Sequence, residues 1–119
     1  MAVEITDIAI CRDAALFIHD QFEMDKDAEA IESAGEYLSA LQKALAGQIA
    51  YMMEHEAERL KWILYRIDIS EQKVLQALAT QPLHEAVDNI ARMIIDRQIQ
   101  KAVTRKQYSA GKSEWSFDI

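Results

Sequence analysis

Three glycines and one proline among 119 residues leave this chain almost no means of turning sharply. Sandwiches, barrels and phosphate-cradling loops need many residues at special backbone angles, which turn residues supply. A chain nearly without them is expected to form a few long helices. Hydrophobic residues make up 50% of it and charged residues 28%, enough apolar content for one core. Its length suits a single domain, expected over residues 1–108 with a tail over 109–119.

Hydrophobic spacing supports an all-α reading of about four helices. The first helix is predicted over Val3–Glu23. Stepping 100° per residue places Ile5, Ile8, Cys11, Ala15, Leu16, Ile18 and Phe22 on one wide face, with Arg12 and His19 inside it. Ile10, Ala14 and Phe17 form a second strip, so most of this helix is expected to be buried. Asp25 or Asp27 is suited to cap the next helix. That second helix is predicted unbroken from Ala28 to Asp68, roughly 60 Å at 1.5 Å per residue, with Gly35 or Gly47 as the places for a bend.

Its apolar seam runs Ile31, Ala34, Leu38, Leu41, Leu45, Ile49, Met52, then Leu60, Ile63 and Ile67. Steps of three and four make it a helical packing seam. Tyr37, Tyr51 and Trp62 form a flank expected to pack against another helix. A third helix, Ser70–Ala79, is expected to be capped by Ser70. A fourth, Leu83–Lys106, follows Pro82, and its apolar stripe rotates partway along. The tail carries Trp115 and Phe117. A seam this long exceeds what the first helix alone covers, which predicts a small bundle completed by homodimerisation.

Glu56 interrupts the seam. Between Met52 and Leu60 it occupies the centre of the stripe, where an unpaired carboxylate costs several kcal/mol. Arg59 lies at one margin and His55 further out, while Arg12 and His19 lie on the inward face of the first helix. These residues, Glu56, Arg59, His55, Arg12 and His19, make the candidate polar cluster. A register-setting pair is the plainer reading of Glu56, ahead of ligand binding.

The remaining chemistry is sparse. Glu-x-x-His and His-Glu-x-x-His are both absent, so no metal site is indicated. No cofactor and no catalytic residue are indicated either. Cys11 is the single cysteine, which excludes an intrachain disulfide and reads as a small buried hydrophobe. No apolar run approaches the roughly 18–20 residues that span a bilayer, and no leader pattern opens the sequence. A cytoplasmic protein without membrane association is therefore expected.

The net charge of −7 is unevenly divided: residues 1–60 hold 13 acidic against 4 basic side chains, and residues 61–119 hold 7 against 9. The acidic half disfavours nucleic acid. The basic run Arg92, Arg97, Lys101, Arg105, Lys106 and Lys112 fits a helix C-terminus better than a phosphate site. The leading functional expectation is a non-enzymatic, homo-oligomeric interaction or adaptor protein with an unidentified protein partner. The alternatives are a small-molecule or catalytic site around Glu56, and nucleic-acid binding through the basic end of the last helix.

Overall fold

A computed structural model describes residues 8–24 and 34–112, and every element within them is an α-helix. They are α1 (Ile8–Phe22), α2 (Ala34–His55), α3 (Ala57–Arg66), α4 (Glu71–Thr80) and α5 (Leu83–Lys112). The expected caps Asp25 and Asp27, the seam residue Ile31 and the tail aromatics Trp115 and Phe117 lie outside the described residues.

The seam is buried as its spacing requires. Leu38, Leu41, Leu45, Ile49 and Met52 of α2, Leu60 and Ile63 of α3, and Ile67 just beyond all lie in the core. The unbroken second helix is corrected, however. The chain leaves helical geometry at Glu56, with φ −143° and ψ 50°, and neither Gly35 nor Gly47 interrupts α2. Backbone bonding carries on across the break: the Glu56 N–H donates to the Met52 carbonyl at 2.7 Å, and the Glu56 carbonyl accepts from Leu60 at 3.0 Å. Breaking here turns the carboxylate out of the seam it would occupy in a straight helix.

Among the described residues the longest element is instead α5, whose 30 residues at 1.5 Å each span about 45 Å. It runs six residues beyond the expected end at Lys106, and takes Gly111 into the helix. Its buried side follows the rotating stripe, from Val87, Ile90 and Ala91 through Ile94 and Ile95 to Ile99 and Ala102. The rotation lets α5 pack on α2, α1 and α4. Within one chain, α5 is therefore the element that covers the seam.

Local signals placed the α4 boundaries. The Ser70 hydroxyl accepts from the Lys73 N–H at 3.3 Å, as an N-cap does. Gln81 is extended before Pro82, whose ring disfavours helix in the preceding residue. The Pro82 carbonyl then accepts from Ala86 at 2.9 Å, opening α5.

Burial corrects several face assignments. Among the described side chains of α1, Cys11, Ala14, Ala15, Ile18 and Phe22 are buried, whereas Leu16 and Phe17 are exposed. So α1 buries one face and not most of its circumference. Tyr37 is half-buried, but Tyr51 and Trp62 are exposed, so the aromatic flank meets solvent. Leu75 and Leu83 are also exposed.

Two positions invite stabilisation. Gly47 is helical and exposed, and an added Cβ would meet nothing within 4 Å. Gly47→Ala is expected to stabilise the fold by about 0.5–1 kcal/mol in denaturant unfolding. Gln98 is 3% exposed, and its Nε2 has no hydrogen-bond partner. Gln98→Met keeps the volume and removes the unsatisfied donor. It is expected to raise stability by roughly 1 kcal/mol in the same assay, and a loss of that size would show that Gln98 is satisfied in solution.

Candidate functional site

The Glu56 cluster forms where α1, α2 and α3 meet, and it is smaller than its sequence outline. Arg59 Nη1 donates to Glu56 Oε1 at 2.5 Å, and Arg59 Nη2 pairs with Glu23 Oε1 at 2.8 Å. The side chains of Arg59 and Glu56 retain 37% and 34% of their exposure, so this pair is only partly desolvated. Hydrogen bonds to Glu56 and then Glu23 raise the pKa of Arg59 above its ordinary value.

The other sequence candidates sit elsewhere. His55 meets Tyr51 in a tilted ring contact with centroids 4.6 Å apart and lies 3.7 Å from Glu54, on the exposed end of α2. Arg12 is exposed and close enough to Tyr37 to oppose the upward pKa shift that burial gives that phenol. His19 is half-buried, and its carbonyl accepts the Met24 N–H at 2.9 Å. The cation that meets the Glu56 carboxylate is Arg59, from the next turn of the chain. The structure thus brings Glu56 and Arg59 together and adds Glu23, a residue absent from the sequence outline.

Glu23 was missed because its role is conformational. Its φ of 53° lies in the left-handed region, and the Met24-to-His19 bond closes a Schellman turn at the end of α1. Asp68 repeats the arrangement after α3. Its φ is 68°, the Ile69 N–H reaches the Leu64 carbonyl at 3.0 Å, and the Asp68 N–H reaches Tyr65 at 3.2 Å. Asp68 in turn pairs with Arg97 of α5 at 2.7 Å. That hydrogen bond, aided by the arginine charge, holds the Asp68 carboxyl below its ordinary value.

The basic run on α5 is largely engaged within the chain. Arg92 pairs with Asp96 at 3.0 Å, Arg97 with Asp68, and Lys101 Nζ donates to the Ile67 carbonyl at 3.3 Å. Arg92, Arg97 and Lys101 therefore serve the fold. Among the described residues, no three His, Cys, Asp or Glu side chains gather as a cation site. No described helix is long and apolar enough to cross a membrane.

A concave surface with a mainly apolar lining lies elsewhere again. A groove of about 390 Å³ runs between α3 and α4, and Ile49 of α2 and Ile90 of α5 also line it. Leu60 and Leu64 belong to its α3 side, and Val74, Leu75 and Leu78 to its α4 side. Lys61 and Glu71 are the charged residues among its lining. Leu75 keeps 56% of its surface exposed and Tyr65 keeps 80%.

No protein-family model matches the chain, and neither a curated protein nor a solved structure matches it.

The Asp68–Arg97 lock makes a pH prediction. A carboxyl with a depressed folded pKa stabilises the fold above its unfolded value, and this is lost as pH falls through the folded value. Asp68→Asn tolerates the left-handed backbone but removes the charge. It is expected to lower the melting temperature by about 1–3 °C at pH 7 in low salt. That difference should shrink as pH falls from about 5 to 3, and in about 0.5 M salt. A difference independent of both pH and salt would assign the effect to the turn and not to the charge.

Proposed function

We propose that the protein is a non-enzymatic, homo-oligomeric helical interaction protein whose α3–α4 groove receives an amphipathic helix of a protein partner. The observation that carries this reading is the character of the groove. Its walls are two helices that supply leucine and valine, its remaining lining is chiefly isoleucine and methionine, and its charge comes from Lys61 and Glu71. That is the chemistry of helix-in-groove recognition, in which apolar anchors at i, i+3 or i+4 and i+7 fill a hydrophobic trough. A catalytic or small-molecule site would instead be expected to gather convergent polar groups within a pocket.

The two alternatives draw less support. The Glu56 cluster is partly open, and the Arg59 guanidinium is already held by two carboxylates of the same chain. The cations of α5 that would meet phosphates are in part committed to Asp96, Asp68 and the Ile67 carbonyl. A cytoplasmic location belongs to the same proposal.

Leu75 offers a clean test, because it is exposed and lines the groove. A panel of synthetic amphipathic helical peptides with leucines at i, i+4 and i+7 should include micromolar binders by fluorescence anisotropy. Leu75→Glu should weaken them at least about tenfold while leaving the circular dichroism spectrum unchanged. Absence of binding by every peptide up to about 1 mM, or binding indifferent to Leu75→Glu, would overturn the groove as the partner site.

A further inference from the structure

We infer that two copies of the chain pair through the exposed ridge of α3, antiparallel, about a two-fold axis at Trp62. The inference rests on the reading of the protein as a homo-oligomer, but not on what fills the α3–α4 groove. It starts from an unusual exposure. Trp62 keeps 65% of its surface open and Tyr65 keeps 80%. The two rings meet edge to face at 6.3 Å and 82°, forming a joined aromatic patch on the outer side of a helix, with Tyr65 at the edge of the α3–α4 groove.

The charges around that patch select the partner. Glu58, Trp62 and Arg66 are spaced i, i+4 and i+8, so they line one side of α3. Glu58 lies about 6 Å along the axis on one side of Trp62 and Arg66 about 6 Å on the other. A two-fold axis at Trp62 reverses the helix direction in the second copy. It therefore sets Glu58 of one copy level with Arg66 of the other, and repeats the pairing at the opposite end. A parallel arrangement would set glutamate against glutamate and arginine against arginine. The face is thus self-complementary in one orientation, as an isologous interface must be.

The flanks agree with this arrangement. Arg59 would otherwise bring another positive charge beside the incoming arginine, but Glu23 and Glu56 neutralise it within its own chain. Among the described residues, Glu58 pairs within its own chain only with Lys61, in a long and solvent-exposed contact of 3.9 Å that leaves its carboxylate open to the incoming Arg66. An aromatic centre with a charged rim is the usual anatomy of a specific interface, and tryptophan, tyrosine and arginine are the residue types that most often carry its energy. With ten residues, α3 offers about 15 Å of contact, which suits a weak dimer with a dissociation constant of about 1–100 µM.

Sedimentation equilibrium of the full chain in low salt tests this. The wild type should reach twice the monomer mass as concentration rises. Trp62→Ala should weaken association at least about tenfold with an unchanged circular dichroism spectrum. Glu58→Arg alone and Arg66→Glu alone should each weaken it by a similar factor, and the double variant should restore it to within about threefold of wild type. A wild type that stays monomeric to about 1 mM would overturn both this interface and the homo-oligomer reading. A dimer indifferent to Trp62→Ala and to the single swaps would overturn this interface alone. Failure of the double swap to rescue would overturn the antiparallel register.

Discussion

The fold depends on where a carboxylate is allowed to stand. The seam from Leu38 to Met52 would continue straight through Glu56, and an ionised side chain held there without a partner costs several kcal/mol. The chain avoids this by leaving helical geometry at that residue. Hydrogen bonds from Glu56 to Met52 and from Leu60 to Glu56 persist across the break. The carboxylate then meets Arg59 at a half-exposed position. What would have been one rod becomes α2 and α3. The space between α3 and α4 is the groove, so the geometry of that concave surface follows from one polar residue in an apolar stripe.

A second constraint is the shortage of glycine. Helices commonly end on a left-handed residue, and glycine adopts that conformation most readily. Here Glu23 and Asp68 take the position. The ends of α1 and α3 are then finished in the same way. An arginine from a later helix holds each acidic side chain, Arg59 for Glu23 and Arg97 for Asp68. A further side chain donates to the preceding residue's carbonyl, Gln48 to Phe22 at 3.1 Å and Lys101 to Ile67 at 3.3 Å. Turns that glycine would make independently of their surroundings are instead tied to neighbouring helices. Local chain reversal and tertiary packing therefore reinforce each other, as expected of a minimally frustrated sequence.

These two constraints also explain what the sequence reveals and what it hides. Apolar spacing located the seam, the buried stripe of α5 and Cys11, because burial of a helix face writes a periodic pattern. Ser70 and Pro82 were legible because capping and proline sterics act over a few residues. The break at Glu56 was legible as an anomaly but not as a kink, since glycine is the locally weaker helix former and drew the expectation to Gly35 and Gly47. Glu23 and Asp68 were not legible at all. Nothing in their immediate sequence distinguishes an acidic residue at a Schellman position from one on a solvated face, and their arginine partners are far along the chain. Trp62 misled for a related reason: periodicity reports apolar character, and an apolar side chain on a helix can face the core or a partner with the same spacing.

The position of α3 joins these strands. It is ten residues long, and only Leu60 and Ile63 within it are buried, so its own contribution to the core is small. Isolated helices of this length are marginal in water. Beyond those two side chains it is fastened at its two ends, by Arg59 against Glu23 and Glu56 and by Asp68 against Arg97. Fastening at the ends leaves the middle of the helix free to present Trp62 and Tyr65 outward and to leave Leu60 and Leu64 beside the groove. Any molecule that covers either surface adds burial to a helix that has little of it. Association on α3 and the ordering of α3 are therefore thermodynamically linked, since whatever binds only the ordered helix stabilises it by mass action. The charges that fasten this helix lie at its rim and its aromatic rings at its centre, so the arrangement that orders α3 also shapes it as a contact surface.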